Sequence, residues 1–189
     1  MGRVTGEKKQ AIGAFGYLFM FMSVLIIGVI TLYLAQISKL MTHQHHVDDS
    51  LADAVLASLV ADDVYYFETY EMTGTPVVRF RDKDESYNIF KDSMNDAVAT
   101  TDGFYYNFSF DTFICYEVEG NIVTVTEYAG STGAKRVYTK SVGIERAPTG
   151  EIVRETSAYG RVRFGIKNII NGNLTTKTKD SYCTLEIND

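Results

Sequence analysis

From Gln10 to Ser38 the chain carries no charged residue, a gap of 29 positions in a protein of 189. The apolar run within that gap, 11–35 (AIGAFGYLFMFMSVLIIGVITLYLA), also lacks proline. A helix needs ~20 apolar residues to cross about 30 Å of hydrocarbon at 1.5 Å per residue. The run meets that requirement. It is too long for the apolar core of a cleaved secretory signal, which spans about 7–15 residues, and its far end has no clear cleavage site. Its length without charge argues equally against a buried core helix. Ser23 and Thr31 are its mild polar residues, and both are placed to bond back to helix carbonyls. Tyr17 and Tyr33 stand near the two ends, where a ring with a polar tip suits the interface.

Other scarcities narrow the function. There are three histidines, His43, His45 and His46, so the part after residue 64 contains none. The chain has no G-x-S-x-G, no phosphate-cradling glycine loop and no H-E-x-x-H. No catalytic residue, cofactor or small-molecule substrate is expected, and the chain is not read as an enzyme. No Lys or Arg occurs from Leu40 to Val78. Residues 1–46 hold four Lys or Arg against one Glu, whereas residues 47–189 hold 14 against 23 Asp or Glu. An acidic part of this size argues against nucleic-acid binding, which needs cationic surface to displace counterions from phosphate. Arg3, Lys8 and Lys9 precede the apolar run and Lys39 follows it, so the positive-inside rule places the N-terminus in the cytoplasm and the long acidic part outside. A cytoplasmic tail of residues 1–10 leaves no room for an output domain.

Neither proline nor glycine interrupts residues 36–64. Leu40, Val47, Leu51, Val55 and Leu59 recur at spacings of seven and four, the mark of an amphipathic helix. One continuous helix is therefore expected, with a transmembrane part at 11–35 and an extracytoplasmic stalk at 36–63. The apolar stripe of the stalk must pack on its own head or on another subunit. Residues 64–189 are expected to form the head. Thr73-Gly74-Thr75-Pro76 breaks the helical pattern, and Val77, Val78 and Phe80 read as a short strand. Asp84 is placed to cap a second helix reaching Val98, with Tyr87, Phe90, Met94, Ala97 and Val98 on its apolar face. Beyond it, period-two alternation around Ile114, Tyr116 and Val118, a Gly120-Asn121 turn and the run 122–128 predict a hairpin. Pro148-Thr149-Gly150 and Asn171-Gly172 mark further turns, and a last strand is expected to end near Ile187. Over 159–167, Val162, Phe164 and Ile166 face one way while Arg161, Arg163 and Lys167 face the other. The fold class is α+β: a long transmembrane-plus-stalk helix, then a head with an antiparallel sheet and one further helix.

Three constellations have competing readings. His43, His45 and His46 with Asp48 and Asp49 offer helical i,i+3 and i,i+4 pairs, but a juxtamembrane stalk lacks the enclosed cavity of a metal site. They read as a polar collar, and no metal is expected. Cys115 and Cys183 permit one disulfide outside the cytoplasm, or stay reduced with Cys115 buried beside Phe113. Arg161, Arg163 and Lys167 form either a cationic grip for an acidic partner, the acidic stalk being one candidate, or a solvated strand face.

The layout resembles pilin-like proteins, and more closely the TadE-type pseudopilins of tight-adherence (Flp-like) pilus systems in Gram-positive bacteria. The matching segments are 8–17 (KKQAIGAFGY), 57–67 (ASLVADDVYYF) and 181–187 (SYCTLEI). The resemblance implies membrane lipid and other pilin-like subunits or pilus assembly proteins as partners. It implies a leader-processing junction between Ala11 and Ile12. Laying Tyr17 on the family's aromatic puts Gly16 where a Glu is usual, so a retained leader and a minor rather than major subunit are expected. Gly13, Gly16 and Gly28 on the span, and Val47, Leu51, Val55 and Leu59 on the stalk, are the expected helix-packing residues. The other reading of the same layout is a bitopic extracellular structural or adhesion protein outside any pilus.

Overall fold

The computed structural model describes residues 4–168 and 172–185. The chain divides into two compact units, residues 1–43 and 44–189. Helix α1 (Val4–Ala57) runs through the first unit and into the second. Its apolar part is long enough to cross a membrane, and none of that stretch is buried inside the protein. Phe15, Phe19 and Val29 are 73%, 76% and 67% exposed. The two polar side chains behave as expected of helix residues in an apolar setting: Ser23 Oγ donates to the Phe19 carbonyl at 2.9 Å, and Thr31 Oγ1 to that of Ile27 at 2.8 Å.

In the second unit the last turns of α1 bury Val47, Leu51, Ala54 and Val55. The helix ends at Ala57 and not near Asp63. Neither proline nor glycine stops it; competing hydrogen bonds do. Ser58 Oγ donates to the Val55 carbonyl at 2.6 Å. Val60 and Asp62 then leave the helical ladder to pair with 79–81: Arg81 N donates to the Val60 carbonyl at 2.9 Å and Asp62 N to the Arg79 carbonyl at 3.0 Å. The expected strand at Val77, Val78 and Phe80 contracts to the single bridge Ala61–Phe80 of this pairing. Asp62 next caps α2 (Asp63–Thr73), its carboxylate accepting from Tyr65 N at 3.1 Å. Gly74 closes α2 at φ 70°, a left-handed position that favours glycine, and returns its N–H to the Tyr70 carbonyl. Among the described residues the head thus holds two α-helices after α1 where one was expected. The other is α3 (Lys83–Ala99), capped by Asp82, two residues before the expected Asp84. Tyr87, Phe90 and Met94 are its buried face.

Five antiparallel strands follow: β1 (Tyr106–Glu119), β2 (Ile122–Ala129), β3 (Ala134–Ser141), β4 (Ser157–Lys167) and β5 (Leu174–Thr184). Their order across the sheet is β3-β2-β1-β4-β5. The β1–β2 hairpin turns at Gly120-Asn121 as read from sequence. The bend at Pro148–Gly150 also holds, with Gly150 N donating to the Ala147 carbonyl at 2.8 Å. Of the Asn171-Gly172 turn, Asn171 lies outside the described residues, as does Ile187 beyond the end of β5.

Alternation along the strands divides the sheet into two faces. Phe113, Cys115, Tyr128, Gly160 and Val162 look toward the helices, and Phe90 of α3 stacks on Phe113 with ring centroids 4.8 Å apart. Ile114, Tyr116, Val123, Val125 and Tyr159 form a second core on the opposite face, covered by Ala147 and Val153 of the long β3–β4 connection.

Candidate functional site

On the span, Gly13, Gly16 and Gly28 have open space around them: a Cβ built at any of the three meets nothing within 4 Å. Gly13 and Gly16 lie three apart, on one side of the helix. Such positions let a second helix backbone approach closely in a bilayer, where association depends on packing and not on hydrophobicity. Ala11 and Ile12 lie within α1, and their side chains are outside the described residues.

The stalk stripe has a different fate. Val47, Leu51 and Val55 are at most 1% exposed and Leu59 is 8% exposed, all within the second unit. Val55 and Phe90 close from two helices onto Gly160 of β4, where a Cβ would come within 2.8 Å of Val55 Cγ2 and 2.6 Å of the Phe90 ring. Only glycine leaves room for both. Lys179 of β5 donates to Asp48 at 2.8 Å, and the Cys183 thiol lies 3.8 Å from the Ala52 carbonyl. These four stalk residues are therefore core of the head and are not a stripe held open for another subunit. Each large side chain so buried contributes roughly 1.5–3 kcal/mol.

The three constellations resolve as follows. No group of three His, Cys, Asp or Glu among the described residues is placed to hold a metal ion. His45 is exposed, His43 half-buried, and the Nδ1 of His46 is buried without a hydrogen-bond partner. Cys115 and Cys183 are both free. The register explains this: Ala158 pairs with Cys115 on one side and Cys183 on the other. Two strand spacings separate the cysteines, about 10 Å, and a disulfide needs Cα atoms within ~7 Å. Burial pushes the Cys115 thiol far up from its ordinary range. In the cationic row, Arg161 bonds Asp180 at 3.1 Å and Arg163 bonds Asp111 at 2.8 Å. Both partners are neighbours on the sheet; the stalk acid Asp48 is met by Lys179 instead.

Electrostatics elsewhere in the head tie helices to strands. Asp84 in the first turn of α3 receives Lys135 Nζ at 2.9 Å and the Tyr128 hydroxyl at 2.6 Å. The Lys135 bond and then the Tyr128 bond hold its carboxyl below the usual range. Arg79 does the same for Asp62, while stacking 3.4 Å from the Tyr65 ring centroid. Burial raises Tyr105 to about 12, with Asp48 adding to the effect.

One surface was not anticipated. Helix α2 has no fully buried residue and exposes Val64, Phe67 and Tyr70 by 68%, 63% and 56%. The stalk reading ends at Asp63 and assigns no helix of its own to the segment between it and the break at Thr73. Taking Asp62 as an N-cap would have separated it.

No family model, no curated protein and no solved structure matches the chain.

Proposed function

We propose that this chain is a minor pilin-like (pseudopilin) subunit of a tight-adherence or type IV-like pilus or secretion apparatus, held by a single membrane helix with its head outside the cell. One observation carries the reading. A single helix, α1, exposes every described apolar side chain of its first part and spends its last turns in the core of a β-sheet head. A soluble protein gains nothing from a fully exposed apolar helix, because water penalises that surface. A bilayer removes the penalty. The charge asymmetry orients it, with Arg3, Lys8 and Lys9 inside.

The span then supplies contacts with neighbouring helices at Gly13, Gly16 and Gly28, and the head supplies the exposed surface. The absence of a carboxylate at Gly16 fits a minor role, since a carboxylate in the bilayer normally needs a neighbour's charge as its partner. The experiment is co-purification of the full chain from native membranes after gentle solubilisation. Recovery with a secretion-type ATPase and a polytopic platform protein supports the reading. Recovery of the chain with neither, from membranes that contain both, overturns it in favour of a stand-alone bitopic surface protein.

A further inference from the structure

The head is acidic as a whole, but its charge is not evenly spread. From Thr156 to Lys179, 24 positions, there is no Asp or Glu, and there are five cations: Arg161, Arg163, Lys167, Lys177 and Lys179. The stretch covers β4, the connection after it and the start of β5. Three of the cations are engaged by acids outside it: Arg161 by Asp180, Arg163 by Asp111 and Lys179 by Asp48. Lys167 and Lys177 are exposed and make no ion pair among the described residues.

Both lysines stand toward one end of the sheet. Lys167 pairs with Leu174 at that end, and Lys177 pairs with Phe164 about 10 Å further along β5. Alternation puts Lys167 and Leu174 on the face away from the helices and Lys177 on the face toward them. Tyr106 joins the first face through its pairing with Gly165. Leu174 lies over Gly165, where a Cβ would collide with the leucine side chain. Leu174 is 47% and Tyr106 41% exposed. This end of the sheet therefore presents an apolar pair and, on each face, one lysine without an acid partner. Exposed acids occur on neighbouring elements, Asp49 on α1 and Asp102 in the α3–β1 turn, and none on the hairpin end itself.

The end so marked is the one by which α1 enters the unit 44–189. Asp48 meets Lys179 and Ala52 meets Cys183, so α1 and β5 run in the same sense. Before Lys179 lie the β5 residues Leu174–Thr178, about 16 Å of strand, whereas residues 44–47 before Asp48 make about 6 Å of helix. The start of β5 thus reaches past Gln44. In sequence, Gln44 is nine residues from Ala35, the last residue of the apolar run, a tether of roughly 30 Å even when fully extended. We propose that this end of the head rests on the anionic lipid surface of the bilayer that holds α1. Lys167 and Lys177 then face lipid phosphates, which attract basic side chains close to the surface, while Leu174 and Tyr106 enter the interface, where a ring with a polar tip is favoured. The inference rests on the membrane-anchored part of the proposed function and not on its pilus part.

The test uses the full chain reconstituted in vesicles of phosphatidylcholine and phosphatidylglycerol, with Cys183→Ser to remove the accessible thiol; Cys115 is fully buried. A fluorophore is attached at Thr176→Cys, an exposed position that pairs with Gly165, or at Ser141→Cys, which pairs with Ile122 at the opposite end of the sheet. A lipid carrying a headgroup nitroxide is then added to the vesicles. Quenching is expected to be several-fold stronger at 176 than at 141. Lys167→Gln with Lys177→Gln should lower it several-fold at 176, as should omission of the phosphatidylglycerol. Equal quenching at the two positions overturns the proposal. So does quenching at 176 that neither the lysine substitutions, in protein shown to be folded by near-ultraviolet circular dichroism, nor the loss of anionic lipid reduces. Its failure leaves co-purification with the ATPase and platform protein intact, whereas failure of the subunit reading removes that co-purification and leaves this quenching.

Discussion

Lys179 in the last strand donates to Asp48 on the N-terminal helix at 2.8 Å, across 131 residues of sequence. The two side chains are 36% and 40% exposed, so the pair contributes less than about 1 kcal/mol. Its significance lies in where it falls. Lys179, Ser181 and Cys183 share the helix-facing side of β5, and the end of α1 lies against that side through Asp48 and Ala52. Removing the end of α1 would uncover the sheet.

Substituting Leu51 therefore tests whether the stalk stripe is internal. Leu51→Ala should destabilise the head by about 2–5 kcal/mol, the range for truncating a buried leucine. Leu51→Asp should prevent folding, because it buries a carboxylate without a partner. Thermal melts of the full chain in detergent, followed by near-ultraviolet circular dichroism of the head, measure both. An unchanged melting temperature in either variant would place Leu51 outside the core.

Gly160 is the narrowest point between helices and sheet. Gly160→Ala forces the Phe90 ring and Val55 apart and should cost about 1–3 kcal/mol, although alanine suits a strand better than glycine. Pairing it with Phe90→Leu should recover part of the loss. Equal melting temperatures for Gly160→Ala and the parent chain would contradict the packing described.

Tyr105 ties stability to alkaline pH. Burial raises its folded pKa to about 12 from an ordinary 10.0. A group raised on folding contributes stability that is complete below its unfolded pKa and lost as pH climbs through the folded one. The loss should therefore begin near pH 10 and continue to about 12. Tyr116, Tyr128 and Tyr159 are shifted in the same direction, chiefly by burial. Phenolate absorbance and circular dichroism followed together should show an exposed group ionising first and a buried group ionising only as the fold is lost. Complete ionisation near pH 10 with an unchanged spectrum would contradict this.

Much of this architecture is legible without coordinates, for identifiable reasons. The apolar run 11–35 stands out because charge is absent over so long a stretch, which marks a candidate membrane span. The β1–β2 hairpin is marked by Gly120-Asn121, and the faces of β4 by strict alternation of Arg161, Val162, Arg163 and Phe164. The end of α1 was hidden. No proline or glycine marks it, and what stops the helix is pairing with residues 79–81, a non-local event. The stripe Val47, Leu51, Val55, Leu59 was visible, but periodicity reports that a face is buried and not what buries it. The pairing of Cys115 and Cys183 was open for the same reason, and only the intervening position of Ala158 closes it. The α2 face escaped notice because helix continuity was assumed through Asp62.

We propose an anchored chain with its head outside the membrane. Its most direct test is labelling of Ser141→Cys, on the exposed end of β3, in a Cys183→Ser background in intact cells. A membrane-impermeant maleimide should react fully before lysis, and the labelled chain should remain in the membrane fraction after alkaline carbonate extraction. Reaction only after lysis, or release of the chain by carbonate, would contradict the account.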